Sequence, residues 1–69
     1  MAANKKSYLR NAQTQVQKGQ LDRAVASYRA ILKIDPRDVK IHNALGDIYI
    51  RRSMKQEGIK EYLWVADYY

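Results

Sequence analysis

Apolar side chains recur along this chain at spacings of three and four, in four stretches separated by short polar breaks. That period is the mark of helices with one face turned inward. The first stretch runs from about Asn4 to Lys18 and is the most polar, with Tyr8, Leu9, Ala12 and Val16 as a narrow stripe. Gly19 follows it and supplies the left-handed residue on which helices commonly stop. The second spans about Leu21 to Ile34, where Leu21, Ala24, Val25, Tyr28, Ile31 and Leu32 make a broad apolar face. Asp22 meets the positive end of that helix, and Asp35-Pro36 ends it because a residue before proline leaves the helical region. The third, about Val39 to Arg52, buries Ile41, Ala44, Leu45, Ile48 and Tyr49 behind a cap at Asp38. The fourth runs from about Met54 to the end, and Ser53 with Gln56 reads as its capping box. The connections are short, so neighbouring helices are expected to run antiparallel.

The second half of the pattern repeats the first. Tyr28 and Tyr62 stand 34 positions apart. The same shift lays Tyr8 on His42, Ala12 on Gly46, Gly19 on Ser53, Ala24 on Gly58, Val25 on Ile59 and Ile31 on Val65. A fixed period of this size signals stacked helical hairpins, each a supersecondary unit. Small residues at Ala12, Ala24, Gly46 and Gly58 would let paired helices approach, with Tyr28 and Tyr62 filling the space left. Gly58 costs about 1 kcal/mol against alanine inside a helix, and close packing is the reason to keep it.

Composition narrows the classes. With 69 residues and no cysteine, the chain has neither a large core nor a disulfide framework to offset a small one. It has no long apolar run and no signal-peptide pattern, so the expected setting is cytoplasmic, with no membrane partner. The formal charge is +6, but the cations fall singly or in pairs with acids between them, which reads as solvated helix faces.

The spacing in "HNALGDIY", with Leu45, Gly46 and Tyr49, resembles the first helix of a tetratricopeptide repeat, His42 standing where the family has an aromatic. "KGQLDRAVASYRAILKIDP" carries the second half of that motif as Ala24, Tyr28 and Pro36. The resemblance implies an all-α fold of antiparallel helix-turn-helix repeats with four helices, an α-solenoid fragment. Its divisions would be an N-terminal tail at 1–4, repeat one at 5–38 and a shortened repeat two at 39–69, the array continuing in a longer parent chain. Asn11 and Gln15 depart from the family, which has Leu and Tyr there.

The resemblance also implies a protein-interaction or scaffolding module rather than an enzyme, with another polypeptide as partner and no cofactor. The family's groove positions fall on Lys6, Leu9, Arg10, Gln13, Val16 and Gln17 in the first helix. In the third they fall on Lys40, Asn43, Ala44, Asp47, Ile50 and Arg51. This mixed cationic and apolar face suits a peptide carrying acids and apolar anchors. One subclass of the family clamps a C-terminal carboxylate. Lys6 and Arg10 have the spacing of its last repeat, but Ala44 replaces the clamp asparagine, so tail binding of that kind is not expected.

No constellation points to catalysis. His42 is the single histidine and, without a second histidine or any cysteine, completes no metal site. It reads as a half-buried packing ring. The acids Asp22, Asp35 and Asp38 sit at helix ends, where capping accounts for them. The sharper signal is "EYLWVADYY". Tyr62, Leu63, Trp64, Val65, Tyr68 and Tyr69 make the last helix apolar around most of its circumference. Such a helix predicts association, and a homodimer formed by two-fold pairing is expected of the isolated chain. The alternative reading is a basic helical module that binds nucleic acid or another polyanion. It is disfavoured because the aromatics lie on packing faces rather than among the cations.

Overall fold

Four helices make up the regular structure among residues 4–69, the residues that the computed structural model describes. They are α1 (Lys5–Gln17), α2 (Leu21–Ile34), α3 (Val39–Arg51) and α4 (Lys55–Tyr68). The all-α class expected from the periodicity holds, and no strand occurs among the described residues. The helices pair α1 with α2 and α3 with α4. Each pair forms its own compact unit, the chain dividing between Arg37 and Asp38. Of the expected four-residue tail, residues 1–3 lie outside the described residues. Asn4 caps α1 by accepting a hydrogen bond from the Ser7 amide at 2.8 Å.

The first hairpin closes end to end. Lys5 at the start of α1 lies 3.0 Å from Asp35 just past the end of α2, so the two helices run antiparallel. Both side chains are nearly half exposed, so this pair orients more than it stabilises. Ala12, Ala24 and Ile31 are fully buried and Tyr28 nearly so. Burying a side chain the size of Ile31 contributes about 1.5–3 kcal/mol. Gln15, a departure from the family pattern, is accommodated by polar contacts across the hairpin. Its amide lies 2.8 Å from Ser27 Oγ. With the amide nitrogen on that side it also donates to the Arg23 carbonyl at 3.1 Å. A polar residue there is satisfied by α2 rather than left to cost desolvation.

The second hairpin holds the larger buried set: Ile41, Leu45, Ile48 and Tyr49, with Gly46 and Gly58 beside them. Asp38 caps α3 by accepting from the Ile41 amide at 3.3 Å, as expected. The two glycines let α3 and α4 meet. A Cβ on Gly46 would stand 2.6 Å from Cε1 of the Tyr62 ring. A Cβ on Gly58 would stand 2.7 Å from Ile50 Cδ1 and 3.1 Å from the Gly46 carbonyl oxygen. The expected link between small residues and the tyrosine is therefore direct at Gly46.

The helix ends repeat with the 34-residue shift, and here one expectation is corrected. After α1, Gly19 takes a left-handed φ of 74°. Its amide donates to the Val16 carbonyl, and the Gln20 amide to that of Gln15 at 2.8 Å. After α3, Ser53 takes φ 62°. Its amide donates to Ile50, and the Met54 amide to Tyr49 at 2.7 Å. Both are Schellman closures, which satisfy the last carbonyls of a helix. Ser53 therefore terminates α3 and is not the N-cap of a capping box with Gln56. The cap position of α4 is Met54, which makes no side-chain cap bond. The hydroxyl pattern pointed to a helix start where backbone geometry required a helix stop.

Two stability tests follow from these backbones. Ser53→Gly relieves a left-handed serine and is expected to stabilise the chain by about 1 kcal/mol. Thermal melting should record this as a rise of roughly 4–8 °C, and an unchanged or lower midpoint would refute the strain assigned to Ser53. Gly46→Ala gains helix propensity of about 1 kcal/mol but drives a methyl into the Tyr62 ring, an overpacking that costs about 1–3 kcal/mol. A net loss is expected in urea titration; a net gain would mean the ring yields freely.

Candidate functional site

Two sets of surface positions are candidates, and the hairpins present them differently. On α1, Lys6, Arg10, Gln13 and Gln17 are exposed while Leu9 and Val16 are half-buried. On α3, Lys40, Asn43, Asp47, Ile50 and Arg51 are exposed and Ala44 is half-buried. The spacings of three and four place each set along one face of its own helix. Two of the α3 positions also serve the hairpin itself. Asp47 accepts a hydrogen bond from the Tyr62 hydroxyl, and Ile50, 43% exposed, lies over Gly58.

The Tyr62–Asp47 bond changes the acid chemistry of the ring. Tyr62 is held above the ordinary tyrosine value of 10.0, chiefly by that hydrogen bond, then by burial and the Asp47 charge. Burial alone pushes Tyr28 in the same direction. Neither shift approaches the range in which a tyrosine acts as a base near neutrality.

His42 is built into the hairpin. Its Nδ1 stands 2.7 Å from Glu61 Oε1, with only 12% and 19% of the two side chains exposed. The imidazole stacks on Trp64, the chain's single tryptophan, at a centroid separation of 3.7 Å and an angle of 20°. Trp64 stacks in turn on Tyr68 at 5.5 Å, and Tyr68 meets Tyr69 edge-on at 5.7 Å. The packing ring expected at His42 is there, with a carboxylate partner that the sequence pattern did not single out. Among the described residues no cluster of His, Cys, Asp and Glu could hold a metal ion.

The six aromatic-end candidates thus separate. Tyr62 belongs to the α3–α4 seam, and Trp64 to the stack on His42, both half-buried; Val65 is half-buried as well. Leu63, Tyr68 and Tyr69 are open, at 58%, 52% and 89% exposure. Ile59, at 42%, joins them. It was passed over because it lies one turn before the aromatic run, although its i, i+4 spacing to Leu63 marks the shared face.

Charge divides as sharply as exposure. Up to Arg37 there are eight basic and two acidic side chains; from Asp38 onward there are five of each. The whole net charge of +6 therefore belongs to the first hairpin, and the second is neutral.

These features are those of a helical-repeat protein. The sequence pattern of the TPR repeat family matches residues 12–52, more than half of the chain, and the chain belongs to that family. Proteins built on this repeat generally act as non-catalytic modules that bind other proteins. The matched stretch ends before α4, so the helix with the most open apolar surface lies outside it. No curated protein and no solved structure matches the chain. Among the described residues, no helix is long and apolar enough to cross a membrane.

The tyrosine shifts set an alkaline limit. Tyr28 and Tyr62 hold their protons more tightly folded than unfolded, because both folded values lie above 10.0. Their contribution is complete below that pH and is lost as the pH climbs through the folded values. Helix signal followed by circular dichroism should therefore begin to fall above about pH 10. Tyr62→Phe should make stability less steeply dependent on pH there; an unchanged slope would show that Tyr62 carries none of the effect.

Proposed function

We propose that this chain is a protein-interaction module whose second hairpin associates with a second copy of itself through α4, while the leading helices offer faces to a peptide. The observation that carries the self-association is where the open apolar surface falls. Of the six large apolar side chains exposed among the described residues, Ile59, Leu63, Tyr68 and Tyr69 lie on α4 or at its end, against Ile34 and Ile50 elsewhere. Comparison of the repeats sharpens this. The 34-residue shift lays Arg29, exposed on α2, on Leu63. A position that one repeat leaves to a cation is given in the other to a leucine. The second hairpin carries no net charge, so the contact itself adds no like-charge repulsion to that of the two +6 chains.

A second reading has one observation in its favour. All the net charge sits on the first hairpin, so a polyanion would bind there. Such binding would fall steeply with salt. For the peptide reading, the α1 face offers an acidic segment Lys6 and Arg10 with Leu9 as apolar contact, and the α3 face, taken by itself, offers Lys40 and Arg51 with Ile50. Asn43 and Gln13 supply side-chain amides. Asp47, held by Tyr62, belongs to the frame of the α3 face as much as to its chemistry.

Leu63→Arg restores at α4 what α2 carries and tests the proposal without touching the hairpin core. Light scattering over a dilution series is expected to show a dimer for the parent chain. For Leu63→Arg it should show a monomer with the same helix signal. A parent chain that stays monomeric at the highest concentration, or a variant as dimeric as the parent, would overturn the self-association.

A further inference from the structure

The open face of α4 has a heptad spacing. Gln56, Ile59, Leu63 and Ala66 fall at intervals of three, four and three, along one side of the helix. This line is distinct from the Gly58–Tyr62 line that meets α3. Along its margin stand Lys60 and Asp67, both exposed, one heptad apart and opposite in sign. On the other margin, beyond Gln56, stands Lys55, and further on Tyr62 and Tyr69.

Resting on the self-association proposed above, we infer that the second copy pairs antiparallel, α4 against α4, with Lys60 of each chain facing Asp67 of the other. In an antiparallel helix pair, flanking positions of one margin meet the same margin of the partner. Here that brings Lys60 to Asp67 twice, about the two-fold axis. The same register sets Leu63 against Ala66 of the second copy, a large side chain against a small one. It also carries Tyr69, the most exposed large side chain, toward Ile59. A parallel pair would instead bring the two margins together and set Lys55 of one chain against Lys60 of the other, like charge on like charge. Margin charges in such pairs select orientation, and these select the antiparallel one.

The test is charge reversal with recombination, read by sedimentation equilibrium. Lys60→Glu alone sets two carboxylates together at each margin contact, and Asp67→Lys alone sets two ammonium groups together. Each variant is expected to dimerise about tenfold more weakly than the parent chain, or worse. An equimolar mixture of the two should regain parent-like affinity, because every margin contact then joins opposite charges. Matched circular dichroism confirms that the variants fold, since both positions are exposed. If the parent is dimeric but the single variants pair as tightly, or their mixture pairs no more tightly than either alone, the orientation is overturned while self-association stands. If the parent is monomeric throughout, both fall.

Discussion

The close contact of α3 with α4 at Gly46 and Gly58 is the constraint on which the second hairpin depends. With no Cβ on Gly46, the Tyr62 ring packs close to Gly46 of α3 and reaches Asp47 with its hydroxyl. With none on Gly58, the Ile50 side chain and the Gly46 carbonyl come within contact of α4. Each glycine sacrifices helix propensity of about 1 kcal/mol. The return is a seam in which an aromatic ring, an aliphatic side chain and a side-chain hydrogen bond all engage at once. The seam also settles which side of α4 remains open. Once Gly58 and Tyr62 face α3, the helical period leaves Ile59, Leu63 and Ala66 on another side.

The two hairpins divide their physical tasks. The first carries the whole net positive charge and, among the described residues, exposes a single large apolar side chain, Ile34. Long-range attraction to an acidic partner would originate there. The second is neutral, has the larger buried set and holds most of the open apolar side chains. Short-range, water-excluding contact belongs there. On the proposed reading, an acidic segment would be drawn to the first hairpin and a second copy to α4 of the second.

Much of this was legible in the residues. The helix period and the 34-residue shift located all four helices, because spacing of apolar positions reports burial directly. Gly19, Asp38 and the Gly46–Tyr62 pair read correctly for the same reason: each has one dominant physical role. Ser53 did not. A serine three residues before a glutamine is a start signal by side-chain chemistry, but the Schellman closure of α3 holds Ser53 in the left-handed backbone of a helix stop. The repeat shift held the better clue, since it lays Ser53 on Gly19. Glu61 and Ile59 were missed differently. Their importance comes from what stands opposite them or beside them in the fold, His42 in one case and open solvent in the other.

The proposed self-association asks a helix end to serve as a docking surface, although the last turn of a helix ordinarily frays. The ring stack supplies a physical reason. Glu61 is tied to His42, His42 stacks on Trp64, Trp64 on Tyr68, and Tyr68 meets Tyr69. This links the start of α3 to the final residue of α4, and the helical period sets Trp64 and Tyr68 on the side away from the Ile59–Leu63 line. Each contact contributes little alone, on the order of 0.5–1.5 kcal/mol for an aromatic pair. Their effect is on ordering: a surface already held in shape loses less conformational freedom when a partner arrives. On the proposed reading, the aromatic residues that made the sequence look adhesive divide, Tyr69 toward the surface itself and Trp64 and Tyr68 as the brace behind it.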